Sequence, residues 1–281
     1  MPQIKIKSFA KLNLALNITG KKSSLHKIES IVAFTSLHDE IFIKKIKSKF
    51  HNILFTGKFS QNINKHNTVS KLLEILEKKN LLKNKKFKIS IIKNIPNKAG
   101  LGGGSMNAAK ILNYFMKKKI IKINRKELFE ISKLIGSDVI LGLNSINSIL
   151  KANHKIRYFT NCVKFHTLIV KPNFGCSTKD VFSKVKKFNK EKFNQPSKKM
   201  FSIDYLRRME NNLEPIVFSR YPKLKSIKLF LEKFSNPAFV RMTGSGSAMV
   251  AYFQSKQSCD YAKKLFSKKY KNYWCITSKT I

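Results

Sequence analysis

The placement of glycine is the strongest constraint on what this chain can fold into. Only 11 of the 281 residues are glycine, yet six of them, Gly100, Gly102, Gly103, Gly104, Gly244 and Gly246, crowd into two short segments. A backbone needs glycine where φ turns positive or where a ligand comes close to the main chain. The first cluster, Ala99-Gly100-Leu101-Gly102-Gly103-Gly104-Ser105, follows a strand-like alternation at Phe87, Ile89 and Ile91 that Pro96 stops. After it, apolar residues at Met106, Ala109, Leu112, Phe115 and Met116 have helical spacing. Strand, glycine loop and helix together offer free amides and a helix dipole, and phosphate is the natural occupant. No lysine follows the loop and no acidic residue lies about 20 positions on, which excludes a P-loop and a dinucleotide fingerprint. The plainer alternative is a turn whose helix is capped by Ser105.

Elsewhere Leu12, Leu14, Leu16 and Ile18 alternate with Lys11, Asn13, Ala15 and Asn17, the period of a half-buried strand that points Lys11 and Asn13 from one face. Asn67–Lys79 has helical spacing at Val69, Leu72, Leu73 and Leu76. A second helix is expected with Leu128, Ile131, Leu134 and Ile135 on one face, closed by Gly136 and followed by Ser137-Asp138. Strand-like runs at Phe165–Val170 and Phe239–Phe253 mix with helical runs at Tyr205–Phe218, Leu224–Phe234 and Cys259–Phe266. This order predicts an α+β protein. The polar stretch Asn144–Lys155 suggests two domains, 1–150 and 151–281, and Lys184–Lys199 reads as an exposed insertion of low structure.

Composition removes several classes. Hydrophobic residues make up 42% of the chain, which excludes bulk disorder despite a net charge of +42. No apolar run approaches the ~18 residues that cross a bilayer, so we expect a soluble, cytoplasmic protein. Cys162, Cys176, Cys259 and Cys275 are too scattered for a zinc site or a disulfide framework and read as buried thiols. The charge first suggests nucleic acid. However, it comes from 51 Lys and only 6 Arg, and it divides evenly, 29 basic and 8 acidic residues in 1–150 against 28 and 7 in 151–281. We read it as a solvated surface with no specific nucleic-acid partner.

Taken singly, the remaining polar residues have plain readings. Asp138 after Gly-Ser suits a helix cap, Lys11 a surface lysine, His26 a satisfied histidine, and Met242–Ala248 a hairpin turn. Taken in order, they form a pattern. Ala10-Lys11-Leu12-Asn13, the segment Pro96–Asn107, Gly136-Ser137-Asp138-Val139 and Met242-Thr243-Gly244-Ser245-Gly246-Ser247 together resemble the GHMP kinases, the superfamily of galactokinase, homoserine kinase and mevalonate kinase. The resemblance runs from Ala10 to about Phe253. Homoserine and mevalonate kinases typically read Gly-Leu-Gly-Ser-Ser where this chain has three consecutive glycines. The triple glycine favours the branch that phosphorylates the 2-hydroxyl of 4-diphosphocytidyl-2-C-methyl-D-erythritol in the non-mevalonate route to isoprenoid precursors.

The resemblance implies an ATP- and Mg²⁺-dependent kinase of two domains with the active site in the cleft between them. It implies that Pro96, Asn97, Lys98, Ala99, Gly100, Leu101, Gly102, Gly103, Gly104, Ser105 and Met106 wrap the ATP phosphates. Asn67 and Asn107 would lie near the adenine. Asp138 would take the proton of the attacking hydroxyl, with Lys11 beside it drawing that hydroxyl into line. His26 would hydrogen-bond cytosine, Asn13 and Thr178 would line the substrate, and Phe182 would stack on the base. Three positions depart from the pattern: Leu25 stands where Tyr is usual, Ile140 replaces a proline, and the segment after Asp138 lacks the usual Gly-rich, acidic character. None removes a catalytic group. The competing readings are another GHMP kinase acting on a small alcohol and, in a different class, a basic nucleic-acid-binding protein. The sequence leaves the oligomeric state open.

Overall fold

The computed structural model describes residues 4–22 and 25–281, and the backbone alone at Leu25, Phe234 and Ser235. In chain order the elements are β1 (Ile4–Lys22), β2 (Leu25–Ile46), β3 (Asn52–Thr56), α1 (Thr68–Lys78), β4 (Lys86–Ile92), α2 (Gly103–Lys117), α3 (Arg125–Ile135) and α4 (Val139–Gly142). There follow β5 (Ser148–Leu150), β6 (Ile156–Tyr158), β7 (His166–Lys171), α5 (Thr178–Ser183), α6 (Ile203–Arg207) and α7 (Glu214–Arg220). The chain ends with α8 (Pro222–Ser235), β8 (Phe239–Met242), β9 (Met249–Phe253), α9 (Lys256–Lys269) and β10 (Trp274–Lys279). Helices and sheets alternate irregularly, as an α+β protein requires.

The chain forms two compact units that interleave along the sequence. One comprises the residues up to Lys11, Leu37–Asn97 and Gly102–Ser145; the other comprises Leu12–Ser36, Lys98–Leu101 and Ile146–Ile281.

In the first unit, residues Glu40–Ile46 of β2 pair antiparallel with β4, and β3 joins β4 in parallel with α1 as the crossover. Ile41, Ile43, Phe87, Ile89 and Ile91 of these strands pack against Val69, Leu72, Leu73 and Leu76 of α1 and Leu112 and Phe115 of α2. The period of α1 therefore placed its buried face correctly. In α3, Ile131 and Ile135 are buried and Leu128 is partly so, but Leu134 is 53% exposed, which narrows the apolar face expected there.

In the second unit, β10, β7, β9 and β8 form an antiparallel sheet in that order. Leu168, Val170, Met242 and Met249 from its strands pack against Val217, Ile227, Leu231 and Phe266 from α7, α8 and α9. The helix expected over Tyr205–Phe218 is two, α6 and α7, because Asn211 turns its side chain inward to bond the main chain and Pro215 starts a new helix. The strand expected over Leu12–Ile18 is present but not half-exposed: Lys11, Asn13, Ala15 and Asn17 are as buried as their apolar neighbours.

Candidate active site

Three sequence-distant pieces of the first unit meet at the amino-terminal end of α2. Gly102 is the residue before this helix and lies in the left-handed region, at φ +70°, with no side chain capping the helix. Gly103 and Gly104 are the first helical residues and Ser105 the third, so the plainer alternative of a Ser105 cap fails, and within the segment positive φ falls on Lys98, Gly100 and Gly102. The orphan amides of this fifteen-residue helix and its dipole suit an anion. A Cβ on Gly102 would lie 2.8 Å from Lys11 Cγ, so glycine is what lets the lysine cross the loop. Lys11 then reaches Asp138 Oδ2 at 3.3 Å.

That pair overturns two plain readings. Lys11 is not a surface lysine: its side chain is 4% exposed against 34% for the carboxylate. Asp138 stands just before α4 but makes no capping bond. Its carboxylate is directed at the ammonium instead.

Beneath the loop lies a network built on two residues not singled out from sequence, Asp39 and Lys93. Asp39, fully buried, accepts from the amides of Asn94 and Ile95 at 2.8 Å each and from Asn107 Nδ2 at 2.9 Å. It also pairs with the buried ammonium of Lys93. A buried carboxylate survives only with such partners, and here they hold the chain on both sides of the glycine segment. Asn107, expected near adenine, is thus a link in this network, and its Oδ1 has no partner. Asn67 caps α1, accepting from Val69 and Ser70 amides, and its Nδ2 bonds the carbonyls of Asn64 and Lys65. The next residue, Thr68, donates to Gly104 O at 2.8 Å and so braces the first turn of α2. Met106, expected among the phosphate-wrapping residues, is buried, and its amide donates to Gly102 O at 2.9 Å, so neither its side chain nor its N–H is free for a phosphate.

In the second unit the two glycine clusters are knitted together. Ser247 N donates to Lys98 O at 3.2 Å, Ala248 N to Ala99 O at 3.1 Å, and Thr243 Oγ1 to Gly100 O at 3.2 Å. A Cβ on Gly100 would fall 2.0 Å from Thr243 O, so no other residue fits there. The Thr243–Ala248 segment is a hairpin turn between β8 and β9, as its plain reading had it, and also the support of the first half of the glycine loop. Leu101 and Ala99 turn their side chains inward, while Asn97 and Lys98 are exposed. Asn13 N donates to Thr243 Oγ1 at 3.1 Å, Asn13 Nδ2 to Ser30 Oγ at 2.8 Å, and Thr178 Oγ1 lies 2.9 Å from Ser245 Oγ.

His26 sits 5.2 Å from Phe182, ring centre to ring centre, and its Nε2 is buried without a partner. Burial, with the charge of Lys21 nearby, holds its pKa below the ordinary histidine value. A neutral imidazole has one donor and one acceptor, which suits the edge of a nucleobase. The side chain of Leu25, the departure next to it, lies outside the described residues.

Among the described residues, no three His, Cys, Asp or Glu side chains form a metal cluster. Mg²⁺ asks for less, since it binds through phosphate oxygens and water with one or two carboxylates, and the partly exposed carboxylate of Asp138 meets that need. No helix among the described residues is long and apolar enough to cross a membrane.

Residues 67–149 match the family described as GHMP kinases N terminal domain. The 4-diphosphocytidyl-2-C-methyl-D-erythritol kinase of Pelagibacter ubique is 55% identical over 281 residues, covering all of both chains. That of Petrotoga mobilis is 34% identical over 254 residues, 87% of this chain and 96% of its own. Among solved structures, a 4-(cytidine 5'-diphospho)-2C-methyl-D-erythritol kinase superposes with a TM-score of 0.77 at 22% identity, covering 98% of this chain and 99% of that one. A homoserine kinase from Cytophaga hutchinsonii gives 0.73 at 15% identity, covering 100% and 95%, a likeness of fold. The similarity thus extends through the whole chain, and the protein belongs to the 4-diphosphocytidyl-2-C-methyl-D-erythritol kinase family of GHMP kinases.

Proposed function

We propose that the protein transfers the γ-phosphoryl group of ATP to the 2-hydroxyl of 4-diphosphocytidyl-2-C-methyl-D-erythritol. The observation that carries this reading is the Lys11–Asp138 pair set across Gly102 at the uncapped start of α2. Asp138 accepts the proton of the 2-hydroxyl as its oxygen attacks phosphorus, because a neutral alcohol is a poor nucleophile without a positioned acceptor. The Lys11 ammonium orients that oxygen and offsets the charge that builds on the transferring group. The amides at the start of α2 bind the phosphates, supported from below by Asp39 and Lys93. Mg²⁺ bound to the nucleotide's phosphate oxygens would supply further charge neutralisation.

In this reading, residues 1–150 supply the ATP-binding half and 151–281 the carboxyl-terminal half. His26 and Phe182 select a substrate that carries cytidine diphosphate. The reaction belongs to isoprenoid precursor synthesis in the cytoplasm, and the diffuse lysine charge has no specific nucleic-acid partner.

The test is ATP consumption over a panel of alcohols, with the product located by ³¹P NMR. We expect turnover of the diphosphocytidyl alcohol and a new phosphomonoester at its 2-position. Turnover of homoserine or mevalonate in its place would overturn the reading.

A further inference from the structure

The segment Lys184–Lys199 reads from sequence as a loose insertion, but the structure holds its middle firmly. Asn189 N donates to Ile18 O at 2.9 Å, and Asn17 Nδ2 donates to Lys190 O at 3.0 Å. The amides of Lys192 and Phe193 donate to the two oxygens of Glu29, at 2.8 and 3.2 Å, and Asn17 Nδ2 adds a third bond to that carboxylate at 3.0 Å. Glu29 is fully buried, and so is the Phe193 ring. A buried carboxylate is a costly anchor for a surface loop, so the position of that loop matters.

What the loop positions is Phe188. This ring is 46% exposed, on a lysine-rich stretch, and lies 6.3 Å from the ring of His26. The histidine therefore has two aromatics within reach, Phe182 half-buried and Phe188 open to solvent, while its own Nε2 lacks a partner. We propose that Phe188 is a specificity residue that supplies the second aromatic face for cytosine, in place of the aromatic absent at position 25. This rests on the function proposed above. The base takes its in-plane hydrogen bond from His26, and Phe188 covers a face that leucine cannot match with a flat π-surface.

Steady-state kinetics with Phe188→Ala and Phe188→Tyr test this. Phe188→Ala is expected to raise KM for the diphosphocytidyl alcohol about tenfold, the scale of one lost base–aromatic stack, with kcat and the KM for ATP within about twofold. Phe188→Tyr should restore the wild-type KM. A Phe188→Ala enzyme with wild-type KM overturns the proposal while leaving the proposed reaction standing. A Phe188→Trp variant titrated with CMP separates the two questions, because it reads base contact without turnover. Quenching beyond that of the wild-type chain, whose one tryptophan is Trp274, supports the contact. Unchanged emission overturns it.

Discussion

Lys11 and Asp138 are an unequal pair: the ammonium is buried, the carboxylate a third exposed, and 3.3 Å separates Nζ from Oδ2. An ion pair built for stability would bury or expose both partners alike. Here the lysine is enclosed and the aspartate keeps a side open to solvent, as the proposed acceptor of a hydroxyl proton needs. Asp138→Asn should keep ATP affinity nearly intact and lower kcat by about 10²-fold or more, the usual contribution of a general base. Single-turnover kinetics beside calorimetry would show it, and near wild-type kcat would sink the assignment.

Gly102→Ala should be worse than Gly103→Ala for catalysis. At position 102 a side chain meets both a left-handed backbone, a strain of about 1 kcal/mol, and Lys11 Cγ at 2.8 Å. At position 103 φ is not positive, and the new methyl meets Ile95 Cγ2 at 3.0 Å and Lys93 Nζ at 3.2 Å. Displacing Lys11 from Asp138 should cost kcat more than about tenfold. Equal kcat in the two variants would show that Lys11 does not depend on Gly102.

Asp39→Ala leaves the buried Lys93 ammonium without its carboxylate, and breaking such a pair costs about 3–5 kcal/mol. Chemical denaturation should show that loss, and Asp39→Ala with Lys93→Met should recover part of it. If the double variant is as unstable as the single one, the ion pair is not what Asp39 contributes.

His26 gives a pH dependence with a definite sign. Its folded pKa lies below the ordinary 6.5, so folding favours the neutral ring. That contribution to stability is complete above 6.5 and is lost as pH falls through the lowered value. KM for the cytidine-bearing substrate should be flat above pH 6.5 and rise in acid, as the imidazolium loses its acceptor. His51, also lowered by burial, with the Lys86 charge adding to the shift and Glu77 opposing it, adds acid lability of its own in the other unit. His26→Gln should therefore flatten the KM profile while an acid-dependent loss of stability persists; a KM profile unchanged by His26→Gln would remove His26 from substrate binding.

Burial pushes the Cys176 thiol up to about 11 and Cys259 up to about 12, and raises Cys162 as well. Cys275 is the least buried of the four free cysteines. A maleimide at pH 8 should modify Cys275 first and the others only on unfolding, as mass spectrometry would record. Rapid labelling of Cys176 in the folded protein would contradict this.

Much of the fold was legible because it is periodic. Val69, Leu72, Leu73 and Leu76 announce α1 and its buried face, and the alternation of Phe87, Ile89 and Ile91 announces β4. Polar burial was not legible. Lys11 and Asn17 occupy the odd positions of an apparently half-exposed strand, and what allows them inside is Asp138 for one and Glu29 for the other. No local period encodes a partner on another strand or, as for Lys11, more than a hundred residues away. Glu29 and Asp39 did carry a faint mark, since an acid within an apolar strand is unusual in a chain with 15 acidic residues against 57 basic ones. Phe188 lacked even that: it lies in a lysine run, and only the bonds from its loop to Glu29, Ile18 and Asn17 reveal that the loop is held.

The bonds that Asp39 takes from the amides of Asn94 and Ile95 and from the side chain of Asn107 tie off the glycine segment at its base. The residues from Pro96 to Met106 are then a ring already closed before any nucleotide arrives. Bringing two chain ends together is an entropic cost that grows with the logarithm of loop length, and here it is met once, when the protein folds. If the segment binds phosphate as proposed, binding has only to align amides that are already neighbours, and product release need not undo the ring. Lengthening the segment by a residue would thus leave the ring closed and change its circumference, so the penalty should fall on the convergence of the amides rather than on folding.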